Sequence, residues 1–537
     1  MKVGRRGFLK VIGAGTAAGS AAAWPLSAQT PGSASQGRIV FNVREFGATG
    51  DGQTLDSPAI NRTIESAAAA GGGTVFFPAG TYSCYSLRLK SNVALYLDQG
   101  STILAADVPL EGFPAGSGKG YDAAEPDTAW HSFQDYGHNH WHNSLVWGED
   151  LHDIAILGHG LIWGRGLSRG VGSDPHLPKS NLPGVGNKAI ALKNCRNVTM
   201  RDLSILKGGW FGILATGVDN MTIDNLKIDT DRDGMDIDCC RNVRVSNCTV
   251  NSPWDDGICP KSSYALGYPR ATENVTITNC YVTARYQVGT VIDGTFKEWP
   301  ADSRVQRTGR IKCGTESNGG FRNITISNCV LDGCRGIALE SVDGALLEDI
   351  AITNITMRDM SSAPFFLRLG SRMRGPADRS VGTLRRVLIS NMVSYNSQSQ
   401  LPAIISGIPS ALIEDVYLND ILLHQVGGGT KDMAAIQPAE APEKYPEPKM
   451  FGPLPAYGLF ARHVKGLDIS NIEMRTAQPD NRPAFWLDDI QGADIFRAKT
   501  SSQPGNILSL HDIRDFHLSA SRGISDVAIE TVQQRLL

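Results

Sequence analysis

A chain of 537 residues would ordinarily hold two or three domains, but a solenoid lengthens by repetition and escapes that expectation. With 51 basic against 54 acidic residues, a net charge of −3 and a pI near 6.4, nothing recommends nucleic acid or an anionic membrane as a partner. Glycine (58) and proline (27) make up about one residue in six, enough for many turns and too few for disorder.

The first 28 residues read as an export signal. Arg5-Arg6-Gly7-Phe8-Leu9-Lys10 precedes a weakly apolar run, Val11 to Ala23, and then Leu26-Ser27-Ala28, a small-residue cleavage site. The paired arginines resemble a bacterial twin-arginine signal, an ordinary secretory signal being the alternative. Either places the mature chain, from about Gln29, in the periplasm or outside the cell. No later run reaches the roughly 18 apolar residues that a membrane-spanning helix needs, so membrane insertion is not expected.

Residues 38–85 read as an N-terminal cap on the domain that fills 38–537. Phe41 to Ala48 forms a strand, Gly50-Asp51-Gly52 a turn, and Ser57 to Ala70 a helix stopped by Gly71-Gly72-Gly73. Thr74-Val75-Phe76-Phe77-Pro78-Ala79-Gly80 is the next strand and its turn. The open end of a solenoid exposes its core and needs such a cap. This order resembles the opening of pectin-degrading right-handed β-helices.

Residues 131–142, HSFQDYGHNHWH, carry His131, His138, His140, Trp141 and His142 in a polar loop. Alternating histidines suit a metal; they suit a cleft wall equally, with Trp141 stacking on a sugar and His142 hydrogen-bonding to it. Further along, Trp210 is either the floor of a cleft or a buried corner residue.

From about residue 90 the chain falls into repeats of the form Asn-Val-x-Ile. Asn197, Asn220 and Asn242 open successive copies 23 and 22 residues apart, and Asn274 and Asn323 open two more after gaps of 32 and 49. Weaker copies follow at 347–352, 387–391 and 467–471. This period, with alternating β-branched residues, predicts short strands with one face in and one out, and the longer gaps predict loops inserted on one side. Cys248, Cys280 and Cys329 each follow an Asn at the same phase, as small apolar residues stacked inside the coil would. A bridge between Cys329 and Cys334 stays open. The adjacent Cys239 and Cys240 lack the spacing of a zinc site.

Within the repeats lie two acidic clusters, Asp231-Arg232-Asp233-Gly234 with Asp236 and Asp238 behind it, and Trp254-Asp255-Asp256-Gly257. Asp233 and Asp255 are 22 residues apart, about one repeat, which stacks them on adjacent rungs facing one groove. Asp-Gly pairs also serve as corner turns, but two such clusters one repeat apart suit a glycosidase. There one carboxyl stays protonated as the acid and another stays ionised to activate water.

On these motifs the chain resembles the polygalacturonase family, glycoside hydrolase family 28, over roughly residues 40–475. The resemblance implies an all-β fold, a single-stranded right-handed parallel β-helix with an N-terminal capping helix. It also implies an inverting hydrolase without metal or other cofactor. Asp255 would be the general acid, Asp233 and Asp256 would position and deprotonate the water, and Lys261, in the Lys-Ser that follows the Asp pair, would hold a substrate oxygen. Trp254 beside the acids and Glu316, in the Gly-Ser-Glu-like turn Gly314-Thr315-Glu316, join the candidate substrate contacts.

The chain departs from the family pattern in two places. Gly309-Arg310-Ile311-Lys312, before that turn, lacks the family's His. The family's later Arg-Ile-Lys motif falls in frame at Ala338-Leu339-Glu340, which holds neither of the cations that clamp the galacturonate carboxylate. Either Arg310 and Lys312 replace them from a neighbouring rung, or the subsite takes another sugar. Arg368 and Arg372 are further cations either for a uronate or for a solvated edge. Residues 425–456, with Gly427-Gly428-Gly429 and a Pro-rich run, read as a long surface loop able to block one end of the groove.

The expected function is hydrolysis of a pectic plant cell-wall polysaccharide or oligosaccharide by a monomer. The alternatives are a polysaccharide lyase on the same fold, which would need a cation and an Arg or Lys base, and a non-catalytic carbohydrate-binding solenoid.

Overall fold

The computed structural model describes residues 39–172, 174–503 and 505–537. The twin-arginine segment and its cleavage site lie outside them. The helix Ser57–Ala69 buries Ile60, Ile64 and Ala67 on one face and is polar on the other. It stops where Gly72 takes φ +129° and donates its N–H to the Ala67 carbonyl, a conformation open to glycine.

Thirty-five strands then join one hydrogen-bonded sheet that winds into a parallel β-helix. Each coil lays down three short strands, and each strand pairs in register with its counterpart one coil away. Val198 faces Met221, Met221 faces Val243 and Val243 faces Val275. Alternate residues of these strands are buried, so Val, Ile and Met fill one continuous core along the axis.

The Asn that opens each repeat has a physical reason. Asn197, Asn220, Asn242, Asn274 and Asn323 all take φ between 51° and 58°, a left-handed corner that Asn tolerates better than most residues. Each amide of the later four donates to the Asn of the previous coil at 3.1 Å, forming a ladder along the outside. From Phe321 onward two strands of a coil merge into segments of 12 to 18 residues, such as Leu346–Arg358 and Leu459–Thr476.

All ten cysteines are free and buried. Cys248, Cys280 and Cys329 are 1–2% exposed inside the coil. The Cys329–Cys334 bridge is not formed. Cys329 Sγ lies against the Ser327 carbonyl, while Cys334 sits past the next corner against the Val282 carbonyl.

The loop 425–456 packs Phe451, Leu454 and Ala456 against Phe366, Ile404, Phe460 and Trp486 on the outside of the solenoid. The far end is closed by Val527–Leu536, which runs antiparallel along Leu508–Ser519. Among the described residues no helix is long and apolar enough to cross a membrane.

Candidate active site

One wall of the solenoid carries the acids. The strands Phe211–Thr216, Asp233–Asp238, Ile258–Lys261 and Ile311–Cys313 pair in sequence along it. The turns that lead into them stack as well, since Gly234 donates to the Asp256 carbonyl and Gly257 to the Arg310 carbonyl. One carboxylate oxygen each from Asp233, Asp255 and Asp256 lies within 4.8 Å of the other two. The Asp256 N–H donates to Asp233 at 3.0 Å. The oxygens are closer together than the roughly 6.5–9.5 Å between carboxyl groups usual for inversion, so this geometry does not itself carry the inverting assignment.

The three carboxyls sit in different environments. Asp256 is 1% exposed, and burial alone would raise its pKa. Arg310 Nε at 2.6 Å and Lys312 Nζ at 2.5 Å outweigh burial and hold it well below the usual carboxylate range. Asp233 lacks such a partner, and burial followed by the neighbouring Asp236 and Asp255 pushes its carboxyl well up. Asp255 is part-exposed and accepts from Arg232 Nη2 at 2.8 Å and Nε at 3.2 Å.

Asp255 opens into a cavity of about 630 Å³ lined also by Arg169, Asp231, Arg232, Trp254, Arg335 and Glu447. Trp254 is 46% exposed and meets Trp299 edge-on at 6.1 Å. Gln306 and Thr308, from the insertion between the repeats opened by Asn274 and Asn323, add to the wall. One of the two expected inserted loops therefore borders the acids.

The other sequence candidates fall in several places. Lys261 and Glu316 are buried together at 3.3 Å, with Asp236 3.9 Å from the lysine. Arg310 and Lys312 stand beside the acids but are bound to Asp256. Trp141 is 2% exposed, donates its indole N–H to Thr216 and lies under Lys193 Nζ. It has no free face for a sugar, because the loop folds it down onto the solenoid wall. His142 bridges Glu149 at 2.8 Å and Glu125 at 3.5 Å and is not among the cavity residues. Arg368 is neither a uronate ligand in the cleft nor a solvated edge. Fully buried, it donates to Ser406, Gly407, Glu440 and Ala441. Arg372 pairs with Asp343. Trp210 is a buried corner residue, 6% exposed.

Several site residues have no clear sequence signal. His138 reaches within 3.8 Å of Asp236 and 4.0 Å of Glu316, and burial followed by Lys261 lowers its pKa to about 3, so it is a neutral imidazole. It lies in the histidine loop, 171 residues before the Gly309 position where the family His was sought. Glu447 comes from the Pro-rich loop and is held by Arg310 Nη2 and Arg335 Nη1, each at 2.7 Å. Tyr445 of the same loop hydrogen-bonds to Thr315 at 3.0 Å.

Comparisons with known proteins agree with this architecture. The family described as "Right handed beta helix region" matches residues 163–304, and "Rhamnogalacturonase A/epimerase, pectate lyase-like" matches 40–111. A probable polygalacturonase of Vitis vinifera is 24% identical over 408 residues, covering 71% of this chain and 73% of that protein. The exopolygalacturonase of Thermotoga maritima superimposes with a TM-score of 0.53 at 16% identity over 93% of this chain and 95% of its own. The family 28 exopolygalacturonase of Yersinia enterocolitica gives 0.56 at 16% identity, over 85% and 78%. The chain is similar in sequence to a polygalacturonase and shares with these enzymes the right-handed parallel β-helix.

Proposed function

We propose that the protein is an exported glycoside hydrolase that cleaves glycosidic bonds in a pectic polysaccharide by acid–base catalysis. The observation that supports this most is the convergence of Asp233, Asp255 and Asp256, with burial raising the proton affinity of Asp233 while Arg310 and Lys312 lower that of Asp256, the kind of arrangement from which acid and base roles arise. Asp255 alone of the three lines the cavity, so it is the donor to the leaving oxygen. In the free protein burial favours a proton on Asp233. A glycosidic oxygen that displaces Arg232 draws that proton to Asp255. As Asp255 gives it up, the bond from the anomeric carbon to the leaving oxygen breaks. Water bonds to that carbon and passes its proton to the Asp233/Asp256 pair.

Lys261 and Glu316 orient this floor from below, and Trp254 offers a sugar-sized face. Arg310 and Lys312 are ion-paired and therefore poorly placed as the base of an elimination, which weighs against a lyase. A non-catalytic binding solenoid draws on the Arg232–Asp255 pair, which occupies the side chain of the intended donor.

The test is reducing-sugar release from polygalacturonic acid, rhamnogalacturonan and aryl glycosides by the native protein, Asp255→Asn and Asp256→Asn. Release reduced about 10²–10⁴-fold by either substitution is expected. Products absorbing in the ultraviolet as unsaturated uronides would support the lyase, and binding without turnover the binding solenoid. Proton NMR of the first-formed product, expected to show the inverted anomer by family resemblance, decides the stereochemistry; a retained anomer would recast one Asp as a nucleophile. Export is tested by the double substitution R5K and R6K, expected to hold the protein in the cytoplasm.

A further inference from the structure

A polymer of uronates carries one carboxylate per sugar, and a pocket built for it needs unpaired cations at the positions those carboxylates reach. The cavity at Asp255 has no such excess. Its lining contains Arg169, Arg232, Arg335 and Lys449 against Asp174, Asp231, Asp255 and Glu447, a balance of charge. Arg232 is engaged by Asp255, Arg169 by Asp174 and Asp231, and Arg335 by Glu447; Lys449, on an exposed turn, is the remaining cation of the lining.

At the wall of this cavity two guanidinium groups converge on a carboxylate, and that place is already filled. Arg310 Nη2 donates to Glu447 Oε1 and Arg335 Nη1 to Glu447 Oε2, both at 2.7 Å, and Arg310 Nη1 adds a longer contact at 3.4 Å. This is the charge-assisted geometry with which a uronate carboxylate would be held, and the chain supplies the carboxylate itself. Burial acts against ionisation of Glu447, yet Arg310 and Arg335 outweigh it and keep its carboxyl below the usual range.

Glu447 is also hard to displace. Its loop is anchored by Phe451 and Leu454 in an apolar cluster, and by Arg368 and Arg462, which bind the carbonyls of residues 438–441. A uronate entering the clamp would have to expel a carboxylate 14% exposed and leave it without its partners, an unfavourable exchange.

We propose that Glu447 is an intramolecular stand-in for a substrate carboxylate, and that the sugar held against Asp255 in this cavity is uncharged. A neutral sugar meets Trp254 and Tyr445 with its faces and Gln306 and Thr308 with its hydroxyls. This rests on the carbohydrate-active reading above and names the chemistry of one of its subsites.

The test reads binding and not turnover, so its outcome is separate from that of the hydrolase assays. Calorimetry compares α-1,4-trigalacturonate with the same trisaccharide after its carboxylates are reduced to hydroxymethyl groups. The two ligands differ in charge at C6 and little else. The native protein is expected to bind the reduced trisaccharide at least tenfold more tightly. Glu447→Gln keeps the side chain's size while removing its charge, and Glu447→Ala empties the clamp. Both are expected to bind trigalacturonate at least tenfold more tightly than the native protein, with little change for the reduced sugar. Native protein that prefers trigalacturonate would overturn the proposal. So would folded variants, verified by circular dichroism, that gain nothing for trigalacturonate or gain equally for both sugars.

Discussion

Glu340 is fully buried in the wall behind the cleft, where Thr315 donates to Oε2 at 3.0 Å and Oε1 has no partner. Burial pushes its pKa up to about 7 against the pull of Lys312 and Arg310. The folded state then binds the proton more tightly than the unfolded chain. Stability from this group is complete below about pH 4.5 and is lost as pH rises toward and through 7, by up to about 3 kcal/mol. Glu340→Gln should flatten that slope and raise stability at pH 8 by about 1–3 kcal/mol, measured by urea unfolding from pH 4 to 8; an unchanged slope would mean that Glu340 does not titrate there. At this scale the sequence was informative wherever chemistry followed the repeat. Asp233 and Asp255 were paired by their 22-residue spacing, which is the length of one coil here. Glu447 was not legible, because it meets Arg310 across 137 residues through a loop that has no period. Trp141 was misplaced because composition gives no sign of which loop side chains fold inward.

The same contrast holds among elements. The corner Asn positions were visible as a repeat, but their role appears only in the ladder, where the left-handed backbone and the amide pairing use one side chain. Asn242→Ala breaks links to both Asn220 and Asn274 and puts in the left-handed corner a residue that tolerates it less well than Asn. It should cost about 1–2 kcal/mol. Asn242→Gly, which loses the links but not the conformation, should cost less, and chemical denaturation of the pair separates the two contributions. The Pro-rich loop was expected on the surface, able to block one end of the groove; of the two buried arginines that anchor it, Arg368 was read as a uronate contact or an edge and Arg462 carried no sequence signal. Outward-facing residues of a solenoid wall look solvated in sequence until a distant loop covers them. Arg462 donates to the carbonyls of Pro438 and Ala439 at 2.9 and 2.7 Å, and its guanidinium lies over Phe451 at 5.0 Å. Arg462→Ala should free this segment, with tryptic cleavage after Lys444 at least tenfold faster while the solenoid resists. Equal rates would show that the apolar cluster holds the loop without it.

At the scale of the molecule, a parallel β-helix is a one-dimensional object whose coils are stabilised by their neighbours, and this leaves its two ends as weak points. The sequence marked the first end plainly, since a helix and three glycines precede the first regular repeat. At the other end the final strand, Val527–Leu536, turns back, pairing antiparallel from Ser509↔Leu536 to Leu518↔Val527. That reversal covers the outermost parallel strand, whose unpaired N–H and C=O groups would otherwise template association with another chain. Deleting residues 524–537 should leave the distant cleft intact, since nothing in the cavity touches this end. It should nevertheless make the protein self-associate with rising concentration, as followed by sedimentation velocity. If the truncated protein remains monodisperse, the edge of Leu508–Ser519 is protected by its own charged side chains, among them Asp512, Arg514 and Asp515, and the terminal strand is dispensable. If it associates while its monomeric fraction keeps native affinity for the carboxyl-reduced trisaccharide, end-capping and ligand binding are separable functions of one solenoid.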